Sequence, residues 1–183
     1  PTLNRPWQVL VSGCLAGLPC GVDGTDYGMG GAAPAFLKDS RIRLVRHCPE
    51  DLVFGTPRQI PDIHGGDGQD VLKGTARVLF PDGTDVTEDM IKGAKTMVSF
   101  AQEANVHFVI LTDMSAACGS QVISDGCRLD EPRGYRLGVG VAAAALIAAG
   151  IGVVSQRDYL TLARIESRLT PTLAIPPDLR DHH

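Results

Sequence analysis

The sequence lacks an apolar run of the about 20 residues needed to cross a bilayer. Its longest candidate, Val139 to Val154, is broken by Gly150 and Gly152. No signal-peptide pattern is legible, because Pro1 to Arg5 leads straight into a strand-like segment. No membrane partner is expected. Positive charge is in short supply: 17 Lys and Arg face 21 Asp and Glu, for a net charge of −4. That balance argues against broad binding to a phosphate backbone, so nucleic acid is not an expected partner. Paired cysteines are missing too. The five cysteines are odd in number, and none stands in a Cys-x-x-Cys zinc knuckle. An oxidised secreted scaffold is thereby disfavoured, and separated thiols in a cytoplasmic protein point instead to metal or catalysis.

What is present suits a folded chain. The 183 residues are 44% hydrophobic and 21% charged, a globular composition that can bury a core without staples. One domain over 1–183 is expected, with a core at about 8–169 and an extended proline-bearing tail at 170–183. His182 and His183 are read as tag-like and left out of the site. Whether the chain is a monomer or a homodimer is not legible.

Short apolar runs predict buried strands at Gln8 to Ser12 and Val106 to Thr112, alternation of apolar and basic residues predicts a strand at Ile42 to His47, and further short strands are expected at Ala76 to Phe80 and Ile151 to Val154. A glycine-rich loop is expected from Leu15 to Gly31, then a short helix from Ala32 to Lys38. Pro49 is read as a turn that stops the second strand, and Gly55 to Gly68 as a long loop. Asp85 with Glu88 predicts a capped helix to about Asn105. Met90, Ile91, Ala94, Met97, Val98 and Ala101 share one face of it, as a core-facing helix requires. Two more helices are predicted, at Val139 to Ala149 and Asp158 to Leu169.

Strands alternating with helices predict an α/β fold, a mainly parallel sheet flanked by helices. Three of those strands run into a segment carrying a cysteine: Cys14, Cys48 and Cys118. In open α/β sheets ligands sit outside the carboxyl ends of the strands. The three thiols are therefore expected to converge on an active site there. Each one alone is most simply a buried free thiol. Together, beside glycine, proline and acidic residues, they favour a soft metal or cluster site. Cys20, in the same loop as Cys14, is open as fourth ligand, resolving thiol or bystander, with bystander preferred. Cys127 is read as structural. His47 should point away from Cys48, being its neighbour on a strand.

At these residues the sequence resembles the 2-thiouracil desulfidases. The likeness is carried by Ser12-Gly13-Cys14-Leu15-Ala16-Gly17, Val22-Asp23-Gly24, Cys48-Pro49-Glu50, Gly55-Thr56-Pro57-Arg58 and Ser115-Ala116-Ala117-Cys118-Gly119-Ser120. Asp125-Gly126 and Gly138-Val139-Gly140-Val141 complete the set, in the family's order from about Val9 to Ser155. The resemblance implies a [4Fe-4S] cluster held by Cys14, Cys48 and Cys118, with one iron left open. It also implies catalytic roles for Glu50 and Ser115 and a small thiolated base as substrate. Asp23 and Arg58 are candidates to contact that base, though a turn aspartate and a structural arginine explain them equally well. The chain departs from the family's Ser-Pro-Ser-Cys-Gly at Ser115-Ala116-Ala117-Cys118-Gly119. A lysine common before that motif is replaced around Thr112-Asp113, and an Arg-Tyr pair by Gly21-Val22.

Three other functions compete. Gly138-x-Gly140-x-x-Ala143 matches a dinucleotide fingerprint, but the preceding Pro132 to Arg136 is too polar for a buried first strand. The glycines are taken instead as close helix packing. A non-catalytic redox or metal sensor would need a fourth ligand. A sulfur transferase on thiolated nucleic acid would need a basic surface.

Overall fold

The structure is a computed structural model, and it describes residues 1–28 and 33–181. The last part of the expected glycine loop, the start of the expected helix at Ala32, and His182 and His183 lie outside the described residues. Among the described residues there are eight strands: β1 Trp7–Ser12, β2 Ile42–His47, β3 Asp62–His64, β4 Arg77–Leu79, β5 Phe108–Leu111, β6 Val122–Ser124, β7 Tyr135–Leu137 and β8 Val153–Ser155. The α-helices are α1 Pro49–Phe54, α2 Gly68–Lys73, α3 Thr87–Glu103, α4 Val141–Ala148 and α5 Tyr159–Ser167. Ala35–Lys38 is a 3-10 turn, shorter than the helix expected there.

Strands β2, β1, β5 and β8 stand side by side in that order, and every pairing is parallel. Successive side chains on a strand point to opposite faces. Here both faces are covered, so every residue from Val9 to Val11 is fully buried. Leu10, Val109 and Leu111 join a core with α3 and α4, through Met90, Ala94, Met97, Ala142, Ala143 and Leu146. Val9, Val11 and Ile110 join a second core with Phe36, Leu37, Leu162 and Leu169. That explains the continuous apolar runs, which parallel strands need and half-exposed strands do not. Among the described residues no helix is long and apolar enough to cross a membrane.

Three local expectations are corrected. Pro49 does not merely end β2. It opens α1, at the first helical position, where its missing N–H removes nothing. The stretch from Gly55 to Gly68 is not all loop: β3 pairs antiparallel with β4. The helix α2 starts from Asp67, whose carboxylate accepts from Gln69 and Asp70 while Asp70 returns a bond to the Asp67 amide. At α3 the cap position is Val86, and Asp85 instead accepts from both the amide and the hydroxyl of Thr87. The polar Tyr135–Leu137 strand pairs with β6 in a small antiparallel ribbon outside the main sheet. No long apolar run marks such a ribbon, so periodicity does not find it.

The helix α1 lies on α3 with almost no clearance. A Cβ at Gly93 would stand 2.5 Å from the carbonyl oxygen of Pro49. In an exposed helix, Gly→Ala stabilises by about 0.5–1 kcal/mol. Here the clash is with backbone, which cannot rotate away, so overpacking outweighs propensity. Gly93→Ala should cost about 1–3 kcal/mol. A lower urea midpoint with an unchanged slope is the expected result; an unchanged or raised midpoint would show that α1 can move off α3.

Candidate functional site

Three strand ends meet at one cavity. β1 runs into Gly13 and Cys14, β2 into Cys48, and β5 into the segment that carries Cys118. A cavity of about 240 Å³ lies across these ends, and Cys14, Cys20, Cys48 and Cys118 all line it. Glu50, Arg58, Thr112, Asp113 and Ser115 share its wall. Sequence reasoning thus places the three thiols together correctly.

Each thiol is held in a different way. The Cys48 sulfur caps α1, accepting from the Asp51 amide at 3.4 Å. The Cys14 sulfur lies 3.4 Å from the Thr112 hydroxyl. Cys118 is only 6% exposed. Its segment folds back so that the Ser115 hydroxyl oxygen accepts from the amides of Ala117 (3.2 Å) and Cys118 (3.0 Å). One oxygen of buried Asp113 accepts from the amides of Ser120, Gln121 and Val122, at 3.0 to 3.2 Å. The other side of this segment is met by the N-terminus of α4. There Gly140, Val141 and Ala142 donate to the carbonyls of Gly119, Ala116 and Ala117. These helix amides have no partner within the helix, and no side chain caps them. A Cβ at Gly140 would lie 2.5 Å from the Ala117 oxygen. The reading of the Gly138–Ala143 pattern as close packing holds at Gly140.

The acid and the arginine form a second layer of the site. The Arg58 side chain is 5% exposed and that of Glu50 10%. Arg58 donates to Glu50 Oε2 from Nη2 at 3.0 Å and from Nε at 3.3 Å. Its remaining donors reach the carbonyls of Gly55 and Cys20 and the Thr56 hydroxyl. All five N–H groups of the guanidinium are therefore engaged within the protein. The Ser115 hydroxyl donates to the other oxygen of Glu50, Oε1, at 3.1 Å. Ser115 thus both caps its own loop and contacts the acid, since a hydroxyl accepts and donates at once.

Electrostatics divides the thiols. A hydrogen bond from Cys20 is the main influence that lowers Cys14, to about 6, against burial; Thr112 helps. Cys20 likewise lowers Cys48, assisted by the Asp51 amide and the Arg58 charge and opposed by burial and Glu50. Cys20, with one S–H to share between those two sulfurs, is itself raised by its contacts with them and by burial. Burial pushes Cys118 well above the usual thiol range, with the neighbouring Cys48 adding to it. Cys14 and Cys48 are thus shifted toward the thiolate and Cys118 away from it. A group that binds all three must displace the Cys118 proton. Among the described residues no three His, Cys, Asp or Glu side chains are grouped to hold a single metal ion. The thiols stand around the cavity, a soft donor set that suits a group of several irons.

Other predicted positions fall outside. Asp23 is exposed, and its carboxylate bonds the amide and hydroxyl of Thr25 in its own turn. His47 stacks on Phe100 at 5.0 Å, away from the cavity that Cys48 lines. The cavity also has walls that motifs did not single out. Tyr27, Ile60, Pro61, Met114 and Arg128 belong to it. Asp113 had a faint signal, an acid directly after a buried strand; Arg128 had none, because its partner Asp62 is far away in the chain.

Comparisons with known proteins bear on the family and the fold. The family model of the 2-thiouracil desulfurases matches residues 9–158. An uncharacterized protein, YbbK, of Bacillus subtilis (strain 168) is 39% identical over 155 residues, which span 82% of this chain and 97% of YbbK. A solved structure of a [4Fe-4S]-dependent thiouracil desulfidase, TudS, superimposes with a TM-score of 0.69 at 28% identity. That match covers 88% of this chain and 99% of TudS. With the matched span reaching from β1 through β8, the chain belongs to the 2-thiouracil desulfurase family.

Proposed function

We propose that this chain is an iron–sulfur-dependent desulfidase that hydrolyses the C–S bond of a thiouracil-type base and releases sulfide. The observation that carries the reading is one cavity walled by three strand-end thiols and by the Ser115–Glu50–Arg58 chain of hydrogen bonds. The structural likeness to TudS and the family match support the same chemistry.

Cys14, Cys48 and Cys118 would hold a [4Fe-4S] cluster, with one iron not bound by the protein. When bound, the cluster supplies a soft Lewis acid for the thiocarbonyl sulfur. The residues do the rest. Glu50 takes a proton from the water that attacks the carbon bearing sulfur, then returns one as the C–S bond breaks. Carbon keeps the oxygen, sulfur leaves as hydrosulfide, and no electron is gained or lost. Ser115 fixes one carboxylate oxygen of Glu50 and Arg58 the other, so the acid faces the cavity in a single orientation. Arg58 is thereby a positioning residue, its donors already engaged. Cys20 donates to its neighbours and is not required as a ligand. Asp23 remains a candidate base contact only if its loop folds over the cavity.

Anaerobic reconstitution with iron and sulfide, followed by 2-thiouracil, tests this. Iron content, visible absorption and sulfide release are the readouts. About four irons per chain and steady release of sulfide are expected. Serine at Cys14, Cys48 or Cys118 should abolish both, whereas Cys20→Ser keeps both. Glu50→Ala should keep iron and lose about 100-fold or more in rate. Full iron without sulfide release would sink the catalytic reading; no iron would sink the cluster.

The buried Glu50–Arg58 pair makes a separate prediction about stability. Arg58→Met strands a carboxylate beside the cavity and should cost about 3–5 kcal/mol. Adding Glu50→Gln to Arg58→Met should recover a large part of that loss, because the two act on one interaction. Additive losses in urea unfolding would show that the pair is not coupled.

A further inference from the structure

We propose that Arg128 is a substrate-binding residue that selects a carbonyl oxygen on the thiolated base. This rests on the desulfidase reading above and adds to it the wall that recognises the rest of the ring. Arg128 lines the same cavity as Cys118 and Glu50. It is fixed in place before any ligand arrives. Its amide donates to one oxygen of Asp62 at 2.8 Å, and its Nε donates to the other at 2.7 Å. Asp62 is 1% exposed and also receives the Ser124 hydroxyl at 2.5 Å. The Arg128 Nη2 donates to the Pro61 carbonyl at 3.3 Å. That leaves Nη1, both of whose N–H groups have no protein partner among the described residues. The side chain is 27% exposed. In contrast to Arg58, this arginine keeps donors to offer a ligand.

Ile60, Pro61, Met114 and Tyr27 line the same cavity and offer it apolar surface that suits a flat ring. A guanidinium has donors only. It therefore needs an acceptor on the ring, such as the carbonyl oxygen of thiouracil. An amino group in that place would set donor against donor and leave buried N–H groups unpaired. Sites that hydrogen-bond a substrate group reject analogues without it far more strongly than apolar pockets do. Arg128 is thus expected to separate a thiolated uracil from a thiolated cytosine.

The competing explanation is that Arg128 serves only as the counter-ion of Asp62. Two variants distinguish these roles: Arg128→Lys, which keeps a charge for Asp62, and Arg128→Met with Asp62→Asn, which removes the pair together. On the reconstituted protein, the readouts are iron content, KM and kcat for 2-thiouracil and 2-thiocytosine, and calorimetric affinity for uracil and cytosine. Both variants should keep full iron, raise KM for 2-thiouracil about tenfold or more with a much smaller change in kcat, and lose the preference of uracil over cytosine. Unchanged KM and unchanged uracil affinity, or losses that follow iron loss alone, would overturn the proposal. A wild-type protein with full iron that neither releases sulfide nor binds uracil would overturn the desulfidase reading, and the role of Arg128 with it.

Discussion

The backbone from Asp113 to Gln121 leaves β5 and lines the cavity, and its stretch from Ala116 to Gly119 is buried away from water. A buried peptide group without a partner is costly, so this segment must find partners within the fold. It finds them on three sides. The Asp113 carboxylate takes the amides of Ser120, Gln121 and Val122. The Ser115 hydroxyl takes those of Ala117 and Cys118. The first turn of α4 covers the carbonyls of Ala116, Ala117 and Gly119. The position of the Cys118 sulfur follows from that accounting. So does the direction of the Ser115 hydroxyl, which has its lone pairs engaged on the loop and one hydrogen left for Glu50.

The same constraint reaches the acid. Glu50 stands on the first turn of α1, which begins where Cys48 ends β2. α1 is pressed onto α3 at Gly93. The sheet therefore sets the thiol, the helix sets the acid, and the two are joined through a cysteine cap. Burying a carboxylate there needs a counter-charge, and Arg58 supplies it with its donors fully used. A second buried acid, Asp62, is balanced by Arg128, which also lines the cavity. The cavity is flanked by two ion pairs of similar composition that differ in one respect: the first arginine is saturated and the second is not.

Much of this was legible in the residues. The parallel sheet follows from continuous apolar runs at β1 and β5, which are covered on both faces, and from the alternation of the edge strand β2. Convergence of Cys14, Cys48 and Cys118 follows from one rule, that strand ends in such sheets point the same way. Helix α3 follows from its apolar stripe, and Met90, Ala94 and Met97 are fully buried as that stripe requires. What was illegible depends on partners distant in the chain or on dual roles. Pro49 reads as a breaker until Cys48 is seen to cap a helix. β3 is three residues long and gains its strand character only from β4. Arg128 carries no motif, because its meaning comes from Asp62 and Ser124. Thr112 and Asp113 follow a buried strand, and only the tertiary fold shows which cysteine each one serves.

The loop's departure from the family pattern has a local physical reading. Ala116 and Ala117 are fully buried, and their carbonyls, not their side chains, meet α4. The demands on these two positions are therefore small volume and free carbonyl oxygens. Alanine meets both. The neighbouring positions face stricter limits: Ser115 must both accept and donate, and Cys118 must reach the cavity. Those two residues keep the family's identity while the pair between them varies. A change confined to Ala116 and Ala117 alters packing beneath α4 and leaves the polar wall of the cavity intact. Differences in substrate preference are then more naturally sought among the cavity-lining residues outside the cysteine motifs, such as Tyr27, Ile60 and Arg128.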